Sequence, residues 1–98
     1  IIFDEIDSGA SGLIARKMGR ILKGFSNFGQ VICITHSPQI ASLGDCHYRV
    51  EKENENNFVK TKIIKLSSDD RVLELARMLS GDHVNPEAIA NAKKMLDI

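Results

Sequence analysis

The sequence has no surplus of charge of either sign. Thirteen Lys and Arg meet 13 Asp and Glu, so the net charge is zero. A dedicated nucleic-acid-binding domain usually carries a basic excess, so any DNA contact must be local or must lie outside these residues. Tryptophan is absent and aromatics make up only 5%. No apolar run exceeds a few residues, which is too short to span a bilayer. No signal-peptide pattern opens the chain. Only two cysteines occur, Cys33 and Cys46, and two do not make a disulfide framework. Cys33 lies in the apolar run VICIT and reads as a buried free thiol. A reducing, cytoplasmic compartment is the expectation. Repeats, low-complexity runs and internal domain boundaries are also missing.

What remains is ordinary globular composition, with 98 residues, 43% hydrophobic and 27% charged. IIF at residues 1–3 is a continuous apolar run, the pattern of a strand buried on both faces of a parallel sheet. DSGASG follows, rich in turn formers. In SGLIARKMGRILKGF the residues Leu13, Ile14, Met18, Ile21, Leu22 and Phe25 recur at helical spacing, with Ser11 as N-cap. QVICIT at 30–35 predicts a second buried strand. Strand, helix and strand in this span form a βαβ unit with a right-handed crossover. SPQIASLG predicts a short helix. HYRVEKE at 47–53 and FVKTKIIKL at 58–66 predict a hairpin about the polar ENENN. Ser67 and Asp70 have capping-box spacing before RVLELARML. Asn85 and Pro86 open the last helix. Leu73, Leu75, Ala76, Met78 and Leu79 on one helix, and Ile89, Ala92, Met95 and Leu96 on the other, read as core stripes.

The chemistry-bearing residues stand in register. Asp4 and Glu5 end the first strand, and Thr35 and His36 end the second. Glu5 and His36 are 31 residues apart, one crossover length. Adjacent parallel strands would therefore deliver Asp4, Glu5 and His36 to one sheet edge, where open α/β sheets hold their ligands. Such a set suits phosphoryl transfer to water. One carboxylate holds Mg²⁺, usually through water. A second deprotonates the attacking water. A neutral imidazole contacts the γ-phosphate and senses its loss.

At these residues the sequence resembles the ATP-binding-cassette ATPases, in the SMC-like branch of chromosome-maintenance and break-repair heads. IIFDEID is similar to their Walker B strand, and ICITHSPQIA to their His switch. The pieces FDE-D-G-SG, ITH-PQ-A, YRVEKE and R-ELARMLSG narrow the resemblance to a DNA double-strand-break repair member, over nearly all of the chain. The resemblance implies an α/β fold, the distal part of a P-loop NTPase head. It would comprise a parallel βαβ core, a β-hairpin and two C-terminal helices, with residues 1–98 as one unit. It implies ATP and Mg²⁺ as ligands. Asp4 would be the Mg²⁺ carboxylate, acting through water, and Glu5 the catalytic base. Ser8, Gly9 and Ser11 would lie in the D-loop at the nucleotide, and His36 would be the catalytic switch. It further implies a homodimer closed through ATP-bound heads, DNA ends as partner, no membrane, and a nucleoid-associated cytoplasmic location. Many members end the D-loop in Asp where this chain has Ser11.

No G-x-x-x-x-G-K-[ST] loop, no S-G-G-type signature loop and no heptad array occurs in these residues. In the arrangement the sequence resembles, all three precede such a segment. The chain is thus expected to be the C-terminal fragment of a longer protein, beginning inside its head and inactive alone. Two rival readings stay open. One is a non-catalytic interaction or regulatory module. The other is a topoisomerase-primase-type Mg²⁺ site on Asp4 and Asp7, whose spacing is wrong for an Asp-x-Asp pair. Cys33, His36, Cys46 and His47 match no common structural zinc spacing. Lys60 and Lys62 share a hairpin face that could meet DNA, but Glu51, Glu53 and Glu55 dilute its field.

Overall fold

The computed structural model describes residues 1–98. Its elements run β1 (Ile2–Asp4), α1 (Gly12–Phe25), β2 (Ile32–Ile34), α2 (Pro38–Ala41), β3 (Tyr48–Glu55), β4 (Phe58–Lys65), α3 (Ser68–Ser80) and α4 (Pro86–Met95). β1 and β2 pair in parallel, with Ile2 opposite Ile32, Phe3 opposite Cys33 and Asp4 opposite Ile34. α1 is the crossover between them. No helix is long and apolar enough to cross a membrane.

The parallel pair is covered on one face. Phe3 and Cys33 pack with Met18 against a small core of Ala15, Leu22 and Ile40 from α1 and α2. The Phe3 and Phe25 rings stack, with centroids 6.3 Å apart. α1 meets α2 along the buried line of Ala15, Gly19 and Leu22. A Cβ on Gly19 would stand 2.7 Å from Leu43 Cδ1 and 3.4 Å from the Ile40 backbone, so glycine sets how closely the helices approach. The other sheet face differs from the sequence expectation. Ile2, Ile32 and Ile34 are exposed there, because nothing in these residues lies over it. Leu13, Ile14, Ile21 and Phe25 of the α1 stripe are exposed too.

The hairpin turns at Asn56 and Asn57, whose φ values of 42° and 70° are both positive. Two consecutive left-handed residues make the type I′ turn that matches strand twist, and Asn accepts it readily. Ser67 Oγ accepts the Asp70 amide of α3 at 3.2 Å, and Asn85 Oδ1 accepts the Ala88 amide of α4 at 2.7 Å. Both caps stand where the sequence puts them. α3 and α4 then bury Val72, Leu75, Ala76, Ala88 and Ala92 in a second core, joined at its margin by Met78, Ile89 and Leu96. Leu73 and Leu79 fall on the exposed side instead.

The hairpin is inverted in polarity. Arg49, Glu51 and Glu53 alternate as its less exposed residues, while Tyr48, Val50 and Ile63 face outward. Glu51 stands opposite Lys62 and Glu53 opposite Lys60. Lys62 also bridges to Glu53 at 3.0 Å. Acids therefore stand across the ladder from the basic residues of this face. Arg49 reaches Glu74 of α3 at 3.5 Å, tying hairpin to helix.

One side chain joins the two cores. Arg71 of α3 donates from Nη2 to the carbonyls of Ala41, Ser42 and Gly44, at 3.0, 3.2 and 2.6 Å. These carbonyls lie at the end of α2, where a helix runs out of intrahelical donors, though Ala41 also accepts the Gly44 amide at 3.4 Å. Arg71→Ala should lower the stability of the chain by about 2–3 kcal/mol, the scale of a lost charged hydrogen-bond set. Urea unfolding measures this, and an unchanged midpoint would remove Arg71 from the fold's support. Beside it, burial first and Arg71 next hold His47 below its ordinary value of 6.5; Arg49 adds to this and Glu74 opposes it. The unfolded chain therefore takes up the His47 proton first. Its contribution is complete above about pH 6.5 and is lost as pH falls through the lower folded value. Stability should thus decline below about pH 6.5, and His47→Gln should flatten that part of the profile.

Candidate functional site

β1 and β2 end side by side, and the ladder continues one step beyond them. The Glu5 amide donates to the Ile34 carbonyl at 2.8 Å. Glu5 then leaves the sheet at φ 50°, a left-handed conformation unusual for a residue with a side chain. A tight turn follows. The Ser8 amide donates to the Glu5 carbonyl at 3.2 Å, and the Ala10 amide to the Asp7 carbonyl at 2.9 Å. Gly9 sits at φ 79°, where glycine costs least. Ser11 then leads into α1 with extended backbone at the N-cap, though its side chain makes no capping bond.

Two side-chain contacts cross between the strand ends. Glu5 Oε1 and His36 Nε2 are 3.1 Å apart, and both groups are exposed. A carboxylate only accepts, so Nε2 carries the proton in this contact. Deeper in, the Thr35 hydroxyl donates to Asp7 Oδ2 at 2.7 Å and accepts the Ser37 amide at 2.9 Å. Asp7 and Thr35 are half-buried. Burial, and secondarily the Asp7 charge, push the nearby Cys33 thiol above its ordinary value.

Together these loops border an open cleft of about 330 Å³. Glu5, Ser8, Gly9 and His36 line it, as do Asp7, Ser37 and Gln39. Asp4 and Ser11 do not line it, although both are close in sequence. Asp4 ends β1 one residue beyond Phe3, so alternation turns it to the opposite sheet face. Sequence reasoning gave Asp7 and Thr35 no role in holding the site, and Gln39 none at all. The signal for the first pair was only that both follow the same two strands.

Asp4 and Glu5 offer hard carboxylate oxygens. No group of three or more His, Cys, Asp or Glu gathers to hold a metal unaided. The two do not form one donor set, since Glu5 lines the cleft and Asp4 does not; a single carboxylate still suits Mg²⁺, which takes one or two and completes its shell with water and phosphate.

Thr35 carries the inner contact alone, using its donor and acceptor at once. Thr35→Val keeps the shape and removes both bonds, and should cost about 1–2 kcal/mol. Thr35→Ser should retain most of the stability. Equal midpoints for wild type and the valine variant in urea would show that the hydroxyl ties nothing together.

Comparisons with known proteins give one consistent answer. No protein-family model matches the chain. The DNA repair protein RecN of Haemophilus influenzae is 44% identical over 98 residues, all of this chain and 18% of that protein. RecN of Xylella fastidiosa strain 9a5c is 43% identical over 96 residues, 98% of this chain and 17% of the relative. RecN of Rickettsia conorii is 43% identical over 98 residues, again all of this chain and 18% of the relative. The chain thus spans under a fifth of the length of the curated relatives it matches. A solved structure described as structural biochemistry of ATP-driven dimerization and DNA stimulated activation of SMC ATPases superposes with a TM-score of 0.63. The match covers 85% of this chain and 49% of that one, at 18% identity, and so speaks to fold. By identity along its whole length, the chain belongs with the RecN family of DNA repair proteins, corresponding to one segment of them, and it shares the fold of an SMC ATPase head.

Proposed function

We propose that this chain is the distal part of an ATP-hydrolysing head in a DNA double-strand-break repair protein, with residues 1–98 acting as one unit. The observation that carries the reading is the Glu5–His36 contact of 3.1 Å across two adjacent parallel strand ends. The cleft of about 330 Å³ beside it is open.

Glu5 takes the proton from the attacking water as general base. His36 holds the Glu5 carboxylate through Nε2–H and turns that donor to the γ-phosphate when the nucleotide enters. Ser8 and Gly9 present the turn to the nucleotide, and Ser11 extends that loop toward a second head. Asp4, outside the cleft on the other sheet face, is the residue that would hold a hydrated Mg²⁺, and the ion would supply charge neutralisation on the phosphate oxygens. ATP closes two heads into a homodimer and hydrolysis releases them, acting on DNA ends in the cytoplasm. The chain lacks a G-x-x-x-x-G-K-[ST] loop, so alone it turns over no ATP.

The test uses a full-length protein of this family in which this segment carries Glu5→Gln. ATP binding should persist, while steady-state turnover in Mg²⁺ falls by about 10²-fold or more, as loss of a general base implies. Unchanged turnover would remove Glu5 from the base role and favour the non-catalytic interaction module.

A further inference from the structure

Charge is evenly balanced in total and unevenly placed along the chain. From Ser8 to Gly44 there is no Asp or Glu, and four cations occur: Arg16, Lys17, Arg20 and Lys23. This stretch therefore carries net +4, and the remaining residues carry net −4. All four cations lie on α1. At 100° per residue, Arg16, Arg20 and Lys23 fall on one arc to the side of the buried line of Ala15, Gly19 and Leu22, and Lys17 lies opposite that line. Arg16, Lys17 and Arg20 are exposed. None of these three has an acidic side chain within ion-pair distance; only Lys23 is paired, with Asp45.

Elsewhere three cations are paired with acids. Lys62 meets Glu53, Arg49 meets Glu51 and Glu74, and Arg77 meets Glu74. A solvated helix of a neutral domain normally mixes both signs, which stabilises it through pairs one turn apart. α1 forgoes these pairs and places Arg16 and Arg20 as like charges one turn apart, an arrangement that costs stability unless an anion answers it.

We propose that the solvent face of α1 is a docking surface for the phosphate backbone of duplex DNA. Arg16, Lys17 and Arg20 are its contacts, and Lys23 joins them when it leaves Asp45. From Arg16 to Lys23 the helix rises about 10 Å, and one strand of duplex advances about 3.4 Å per phosphate. The stripe thus spans about three phosphates. Phosphate contacts carry no base information, so binding through this stripe is without regard to sequence. The inference names the DNA-contacting face within the function proposed above, and it rests on that reading only for DNA as the partner.

The experiment uses a full-length protein of this family in which this segment carries Arg16→Gln, Lys17→Gln and Arg20→Gln together. Affinity for a blunt duplex is measured across a range of salt, alongside ATP turnover without DNA. Three lost phosphate contacts should reduce the steepness of log K against log[salt] by about 2–3 and weaken binding on the order of 10–10²-fold near 0.15 M salt. Turnover without DNA should be unchanged, since these residues touch no part of the cleft. Unchanged affinity and salt slope would overturn the proposal. So would intact duplex binding with lost binding to vesicles of anionic phospholipid, which would assign the face, with exposed Leu13 and Ile21 nearby, to a membrane surface. Glu5→Gln serves as the counterpart. If it leaves turnover intact while the triple variant loses DNA, the hydrolysis reading fails and the docking face stands.

Discussion

The three-residue parallel ladder between β1 and β2 is the constraint on which the rest depends. Its register places Asp4 opposite Ile34 and leaves Glu5 donating to the Ile34 carbonyl. Only that register brings the residues after both strands level with each other. A slip of one residue would turn every side chain to the other face, sending Phe3 and Cys33 out of the core. The ladder is too short to fix itself. It is held by α1, whose buried line of Ala15, Gly19 and Leu22 seats against Ile40 of α2, the helix that begins just after His36. The packing that secures the register therefore secures both sides of the cleft.

The C-terminal half contributes through α2. Arg71 grips three carbonyls at the end of that four-residue helix. Burial lowers the Arg71 pKa from its ordinary value, opposed by the nearby Cys46 and Asp45, but an arginine stays charged throughout. The staple is thus independent of pH, while the adjoining His47 is not. The α3–α4 core anchors the far end of the α2 segment and leaves its near end at the cleft.

Local devices were legible in the sequence, and tertiary ones were not. The caps at Ser67 and Asn85 and the turn at Asn56–Asn57 are decided within four residues, so residue type suffices to find them. The βαβ unit was legible because two apolar runs flank one amphipathic helix. The Asp7–Thr35 bond and the Arg71 staple join residues 28 and about 30 apart, and no local pattern marks either pair. Apolar spacing showed that α1 is a helix, but not which part of its stripe is buried. That is decided by where small residues allow close approach, which is Gly19 and not Ile14 or Ile21. The runs IIF and ICI report a demand for burial on both sheet faces. These residues meet it on one.

The two contacts that bridge the strand ends differ in a way that bears on function. The inner one, Asp7 with Thr35, is half-buried, and its hydroxyl is satisfied as donor and acceptor. The outer one, Glu5 with His36, is exposed, with 55% and 89% of the side chains open to solvent. An exposed ion-pair geometry adds little to stability, so it can open and re-form at low cost. Glu5 also carries left-handed backbone at its φ of 50°, a conformation costing roughly 1–2 kcal/mol in a residue with a side chain. A position that adds little to stability and stores strain is poorly explained by folding alone. The inner bond supplies the rigidity, and it leaves the outer pair free to exchange its hydrogen bond for one to a ligand. That division of labour is what a proposed base and its switch require, and it follows from the inner pair being half-buried and the outer one exposed.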